Sequence, residues 1–238
     1  MQNRPNKKVY AAIFAHPDDP DFSCSGAFAK FAKAGNDCYY VILTNGSKGS
    51  NDPKVKRDWL IKTRRQEQLA AAKVLGIKDV IFLDYEDCEL EVNLKTKGAV
   101  VEVLRKIRPD IVVTFDPSRF YSESDNYVNH PDHRACGEIV MSAVFPLSHS
   151  HLMYPDHINR GLKPHKTREL WLTNFEKANY FIDIEKTFNK KIEALSCHRS
   201  QLAAMKGFEK WVKKWALSMA KKSKKYKLAE GFIRFKLE

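Results

Sequence analysis

The chain has 238 residues, 43% of them hydrophobic and 29% charged, with a net charge of +12. That length buries a full core without staples, the composition is that of an ordinary globular protein, and no apolar run approaches the ~18 residues a membrane-spanning helix needs, so mini-protein, disordered, fibrous and membrane-helical classes are excluded. The charge is uneven: from residue 186 onward there are 15 basic and 4 acidic residues, so the first 185 are close to neutral and any polyanion-binding argument is confined to the C-terminal fifth.

Along the chain, Val9 to Phe14 is a short β-rich apolar run and is predicted to be a buried strand. Tyr39 to Leu43, Val80 to Leu83 and Ile111 to Phe115 read the same way. Helical patterns fill the intervals: one starts near Ser23 or Ser25 and stops at Gly35, a second covers about Val55 to Leu75 and stops at Gly76, and a third runs from Lys95 to Arg108 before Pro109. This alternation predicts an α/β fold, a mainly parallel sheet with helices on both faces, as a single domain over residues 1–238. Ligands bind outside the carboxyl ends of the strands in such sheets.

Two polar stretches, Pro117 to Asn129 and Leu147 to Thr167, are long for plain connectors and are candidate walls or lids of a site. Beyond them come a strand at Glu169 to Thr173, a short apolar run at Tyr180 to Ile184, two helices and a last strand at Gly231 to Phe235. From about residue 186 this part is basic and helical. Phe208, Trp211, Trp215 and Met219 recur there as a stripe among lysines, which reads as a helix packed on the body or on a sister subunit. Five cysteines, an odd number with no C-x-x-C pair, fit a reducing compartment, so a cytoplasmic location is expected. Gly46 and Gly49 read as a turn, His149, His151, His157 and His165 as solvated loop residues, and His198 as structural.

The tripeptide His-Pro-Asp occurs twice: as His16-Pro17-Asp18-Asp19 directly after the first strand, and as His130-Pro131-Asp132-His133 after the polar loop that leaves the fourth. Either copy alone could be a turn, since Pro and Asp favour turns and Asp caps helices. Two copies at strand ends argue for a site. Imidazole and carboxylate at short spacing are donors for a divalent metal, and a hydrolytic zinc centre takes three protein ligands with one position open. His16, Asp19 and His133 supply two imidazoles and a carboxylate, a set that also suits non-haem iron. Asp18 and His130, one from each motif, remain for proton transfer and for stabilising developing negative charge, and Asp132 for orienting a neighbouring imidazole.

At these residues the sequence resembles the LmbE/PIG-L-like zinc-dependent N-deacetylases, which carry A-H-P-D-D after strand one and H-P-D-H later. The likeness extends through Thr44-Asn45-Gly46 to Gly49, Arg64 to Glu67, Asp116-Pro117, Asn129 to Gly137, Gly161-Leu162 with Pro164-His165, and His198 to Gln201, and is closer to the diacetylchitobiose-deacetylase-like branch. The resemblance implies a Rossmann-like sheet and hydrolysis of an acetamido group on N-acetylglucosamine or a conjugate of it. It makes His16, Asp19 and His133 the zinc ligands, Asp18 the general base and His130 the stabiliser of the oxyanion, and it sets Arg64 and Asp87 against sugar hydroxyls. Where some members carry a tyrosine before the second motif this chain has Val128, with Tyr127 next to it at opposite strand parity.

The expected function is therefore a Zn2+-dependent N-deacetylase, with Fe2+ as the alternative ion, a small amino-sugar substrate, a homo-oligomeric state and neither nucleic acid nor membrane as partner. A non-hydrolytic nucleotide-binding module is the rival from another class, but Asp18, Asp19 and Asp21 stand where a pyrophosphate would need glycines. A polyanion-binding protein would use the lysine-rich helix and show steep salt dependence. Hydrolysis of a different amide is the nearest competitor within the enzyme class.

Overall fold

Alternation along β1 (Val9–Phe14) sets the plan of the molecule. Tyr10, Ala12 and Phe14 belong to one buried cluster and Ala11, Ile13 and Ala15 to another, so both faces of the sheet must be covered. The computed structural model describes residues 7–122, 126–203 and 205–237. In chain order β1 is followed by α1 (Asp19–Lys33), β2 (Asp37–Thr44), α2 (Arg57–Leu75), β3 (Asp79–Tyr85), α3 (Leu94–Ile107), β4 (Ile111–Phe115) and the two-residue strands β5 (Tyr121–Ser122) and β6 (Tyr127–Val128). Then come α4 (Pro131–Ser142), a π-helical turn over Ala143–Leu147, α5 (Pro155–Asn159), β7 (Glu169–Thr173), β8 (Tyr180–Asp183), α6 (Phe188–Leu195), α7 (Arg199–Leu202), α8 (Phe208–Ser223) and β9 (Ala229–Lys236).

The main sheet has the order β3-β2-β1-β4-β7-β9-β8. Its first five strands are parallel, and β9 runs antiparallel to β7 and β8. Buried residues of α1, α2, α6 and α8 fill one face, and those of α3, α4 and the π-helical turn fill the other. Strand order reverses between β1 and β4, which leaves a crevice at their carboxyl ends. Among the described residues no helix is long and apolar enough to cross a membrane.

Each of the seven apolar runs becomes a strand of this sheet, and the helix stops hold: α2 ends at Gly76 with φ 75°, and α3 at Arg108 with φ 52°, before Pro109. Three expectations change. The first helix begins at Asp19, four residues before Ser23, because Pro20 has the φ that a first turn needs. The second His-Pro-Asp, for which no helix was expected or excluded, is likewise a helix start: Pro131 opens α4, with His130 as N-cap accepting the Asp132 N–H. Among the described residues the C-terminal part holds three helices rather than two, and His157 and His165 are buried, not solvated. Of the polar stretch Pro117 to Asn129, residues 123–125 lie outside the described residues.

Gly137 fixes how closely α4 approaches the end of β4. A Cβ there would meet the Phe115 carbonyl oxygen at 2.6 Å and the Pro117 nitrogen at 3.0 Å, and backbone cannot swing aside as a side chain can. Gly137→Ala is expected to lower stability by about 1–3 kcal/mol, the usual scale of overpacking. Urea unfolding at constant m would measure it, and an unchanged midpoint would show that α4 can move outward freely.

Candidate active site

Both motifs reach the β1–β4 crevice from the carboxyl ends of their strands. His16 leaves β1, Asp18 turns the chain with φ 99° and ψ −32°, and Asp19 starts α1 with its carboxylate accepting the His16 N–H at 2.7 Å. The other chain segment leaves β4, includes the antiparallel pair β5 and β6, and enters α4 at His130 with His133 in the first turn. The rings of His16 and His133 lie 5.2 Å apart, and His130 stands 4.7 Å from His16 and 5.4 Å from His133.

Neighbours fix which nitrogen of each ring is free. Nε2 of His16 lies 3.1 Å from Asp87 and 3.2 Å from Asp132, so its proton sits between them and Nδ1 faces Asp19 Oδ2 at 3.2 Å. Nδ1 of His133 meets Asn129 Oδ1 at 3.2 Å, which leaves Nε2 facing Asp19 Oδ1, also at 3.2 Å. Two imidazole lone pairs and a carboxylate converge, each ring held from behind by an acceptor, which is the donor chemistry of a divalent transition ion. Among the described residues, donor atoms of His16, His130 and His133 lie within 4.8 Å of one another, as do those of His16, Asp87, His130 and Asp132. Asp19 belongs to neither of these groups and joins through its two 3.2 Å contacts.

The electrostatics agree with a cation site. Burial alone would lower the pKa of His16, but the charge of Asp19 and hydrogen bonds to Asp132, Asp19 and Asp87 hold it well above the usual value. Asp19 is held below the carboxylate range despite burial, by His133 and His16. Asp18 goes the other way: burial raises it, Arg64 opposes, and the charge of Asp19 adds to the rise. His130 is lowered by burial and by the charge on His16.

Arg64 and Asp87, expected against sugar hydroxyls, are buried at 4% and 3% exposure. The Arg64 guanidinium donates to the carbonyls of Pro17 (2.6 Å) and Gly46 (3.0 Å) and to Asp18 Oδ2 (3.2 Å). A Cβ on Gly46 would meet it at 2.8 Å, so the glycine turn makes room for an arginine rather than a phosphate. Asp132 steadies His16, and accepts the Cys88 N–H at 2.7 Å and the Leu90 N–H at 3.3 Å.

A cavity of about 630 Å³ opens beside these groups. Asp18, Asp19, Asn129 and His133 form its polar end, and Phe22, Phe175, Trp211 and Trp215 its aromatic end. Tyr127 also faces the cavity and donates its hydroxyl hydrogen bond to Asn129 at 3.0 Å, while Val128 is 81% exposed. Sequence reasoning left Asn129 and the aromatic wall out of the site. The i, i+3 spacing of Asp19 and Phe22 was the signal available for the wall, since it puts both on one face of α1.

Residues 11–144 match the model of the PIG-L family, described as GlcNAc-PI de-N-acetylase. The chain belongs to that family. This PIG-L chain is similar to the diacetylchitobiose deacetylase of Thermococcus kodakarensis, 34% identical over 231 residues that cover 96% of the chain and 83% of the relative. It is also similar to a probable N-acetyl-α-D-glucosaminyl L-malate deacetylase 2 of Bacillus anthracis, 29% identical over 212 residues and 83% of each chain. Among solved structures, the N,N'-diacetylchitobiose deacetylase of Pyrococcus horikoshii, complexed with its inhibitor MPG, superposes with a TM-score of 0.89 at 28% identity, covering 99% of this chain and 87% of that one.

Proposed function

We propose that the protein is a metal-dependent hydrolase that removes the acetyl group from an N-acetylglucosamine-type substrate, giving acetate and a free amino sugar. One observation carries the reading: the free nitrogens of His16 and His133 face the two oxygens of Asp19, with the Asp18 carboxyl on the wall of the same cavity. His16, Asp19 and His133 would hold the ion, with zinc favoured by the donor set and iron(II) as the alternative. When bound, it supplies Lewis acidity, letting a water give up a proton near neutral pH and drawing charge from the acetamido carbonyl.

The chain's own groups do the rest. Asp18 takes the proton of the attacking water, and its burial favours the protonated form that results. His130 accepts the Asp132 N–H on Nδ1 at 3.2 Å, so the neutral ring carries its proton on Nε2 and can donate it to the oxygen that becomes negative. Asp18 then hands its proton to the departing nitrogen, the C–N bond breaks, and the carboxylate is restored. The five free thiols support a cytoplasmic setting.

The aromatic end supports a substrate larger than one ring. A volume of about 630 Å³ lies within the ~300–1,000 Å³ of sites that hold whole drug-sized molecules. Trp211 stacks on Phe22 at 5.4 Å and meets Trp215 edge-on at 4.4 Å, and Trp215 stays 40% exposed. In this reading the second sugar of a diacetylchitobiose-like substrate lies against these indoles. The lysines of α8, by contrast, leave the pocket wall to its aromatic residues.

Three outcomes test the assignment. Asp18→Asn should retain metal and lose turnover by roughly a hundredfold or more, the scale for a general base, whereas Asp19→Asn should lose metal and recover partly in excess zinc. Metal analysis beside acetate release decides, and the reverse pattern would exchange the two roles. Arg64→Lys cannot keep a forked contact and should lower kcat roughly tenfold with KM nearly unchanged; a raised KM at full kcat would set Arg64 against the sugar instead. Trp215→Ala should raise KM roughly tenfold for a disaccharide and little for free N-acetylglucosamine, while Lys221→Gln with Lys224→Gln should leave both alone. Equal effects on the two sugars would remove the second-ring subsite.

A further inference from the structure

Asp18 sits in a backbone conformation, φ 99° and ψ −32°, that a residue with a side chain keeps only when its surroundings over-determine it. Part of what holds it is a chain of fully buried polar groups outside the metal motifs. The Asp18 N–H donates to Gln68 Oε1 at 2.8 Å. The Gln68 amide nitrogen donates to Asp21 Oδ2 at 2.8 Å, and His198 Nε2 meets the same oxygen at 2.9 Å. The Tyr40 hydroxyl donates to the other oxygen of Asp21 at 3.3 Å. Gln68, Asp21 and His198 are each 0% exposed.

The order of these contacts matters because a glutamine amide can face either way. A carboxylate only accepts, so Asp21 obliges Gln68 to turn its NH₂ group inward, and the carbonyl oxygen is then the end left for the Asp18 N–H. His198, the N-cap of α7, sets its Nε2 against the same Asp21 oxygen that Gln68 uses, so that oxygen is approached by two nitrogens, one from each neighbouring helix. Three elements are thereby tied to one peptide group, α7 through His198, α1 through Asp21 and α2 through Gln68.

Given the reading of Asp18 as the base, we propose that Gln68, oriented by the buried Asp21–His198 pair, is a positioning residue that holds the Asp18 peptide in its left-handed turn and so aims the carboxyl into the cavity. It touches neither substrate nor metal. Loss of the clamp lets the peptide relax and the carboxyl swing, which lowers the chemical step without loosening the sugar.

Gln68→Met keeps the bulk and removes both hydrogen bonds. Asp21→Asn keeps the bulk and offers a donor as well as an acceptor, so it no longer dictates which way Gln68 faces. Each variant is expected to keep its metal and its KM for diacetylchitobiose within about twofold, to lower kcat roughly tenfold or more, and to speed amide hydrogen exchange at Asp18. Urea unfolding of the same samples confines the kinetics to folded protein. Unchanged kcat and unchanged exchange in the folded variants would overturn the proposal, as would a raised KM at full kcat. Should the wild-type protein release no acetate from any N-acetylglucosamine conjugate, the deacetylase reading falls, and exchange at Asp18 still decides whether Gln68 holds that peptide.

Discussion

A single carboxylate ties the molecule's two chemical segments together. Asp19 accepts the His16 N–H from the end of β1 through one oxygen and faces His133 on α4 with the other. Everything nearby is arranged to keep that carboxylate ionised and those rings in one tautomer: Asp87 and Asp132 behind His16, Asn129 behind His133, and backbone N–H groups behind the carboxylates. Negative charge gathered in a buried crevice is costly unless a cation or a hydrogen-bond donor answers it. Here the imidazoles and backbone N–H groups answer it, and the same cluster of His and Asp donors could hold a metal ion.

The same rule governs the interior beneath. Lys191 and Glu230, 4% exposed each, form an ion pair at 2.7 Å between α6 and β9. Neither is left with unanswered charge. Lys191 also donates to the carbonyls of Asp21 and Phe22, and Glu230 accepts the N–H groups of Gly26 and Ala27. Both partners therefore grip α1, the helix that carries Asp19. Removing one would strand the other in a dry setting, an expensive change of roughly 3–5 kcal/mol. The fold holds its reactive helix by polar contacts as well as by packing.

How much of this was legible depended on whether the signal was local. The seven strands follow from apolar runs, and the two His-Pro-Asp copies follow from their position at strand ends. The helix α4 was not legible, because a proline after His130 suits a turn and a first helical turn equally, and what decides is the burial of Cys136, Ile139 and Val140 against the sheet. The contacts of Arg64 with the carbonyls of Pro17 and Gly46 were not legible, because backbone groups are partners that no residue pattern announces. The C-terminal stripe was seen but misaligned. The face that packs is Phe208, Val212, Ala216, Met219 and Ala220, whose small alanines let α8 come close, while the bulkier Trp211 and Trp215 are displaced to its edge and into the cavity.

The family match ends at residue 144, past the last metal-motif residue, while Phe175, Trp211 and Trp215 all lie beyond it. Apart from Phe22, which shares α1 with Asp19, the far wall of the pocket is thus written in a separate stretch of the polypeptide from the two His-Pro-Asp motifs. On the proposed reading, a lineage carrying this architecture would revise which conjugate it accepts by altering one helix and one loop, and would leave residues 16–19 and 130–133 as they are.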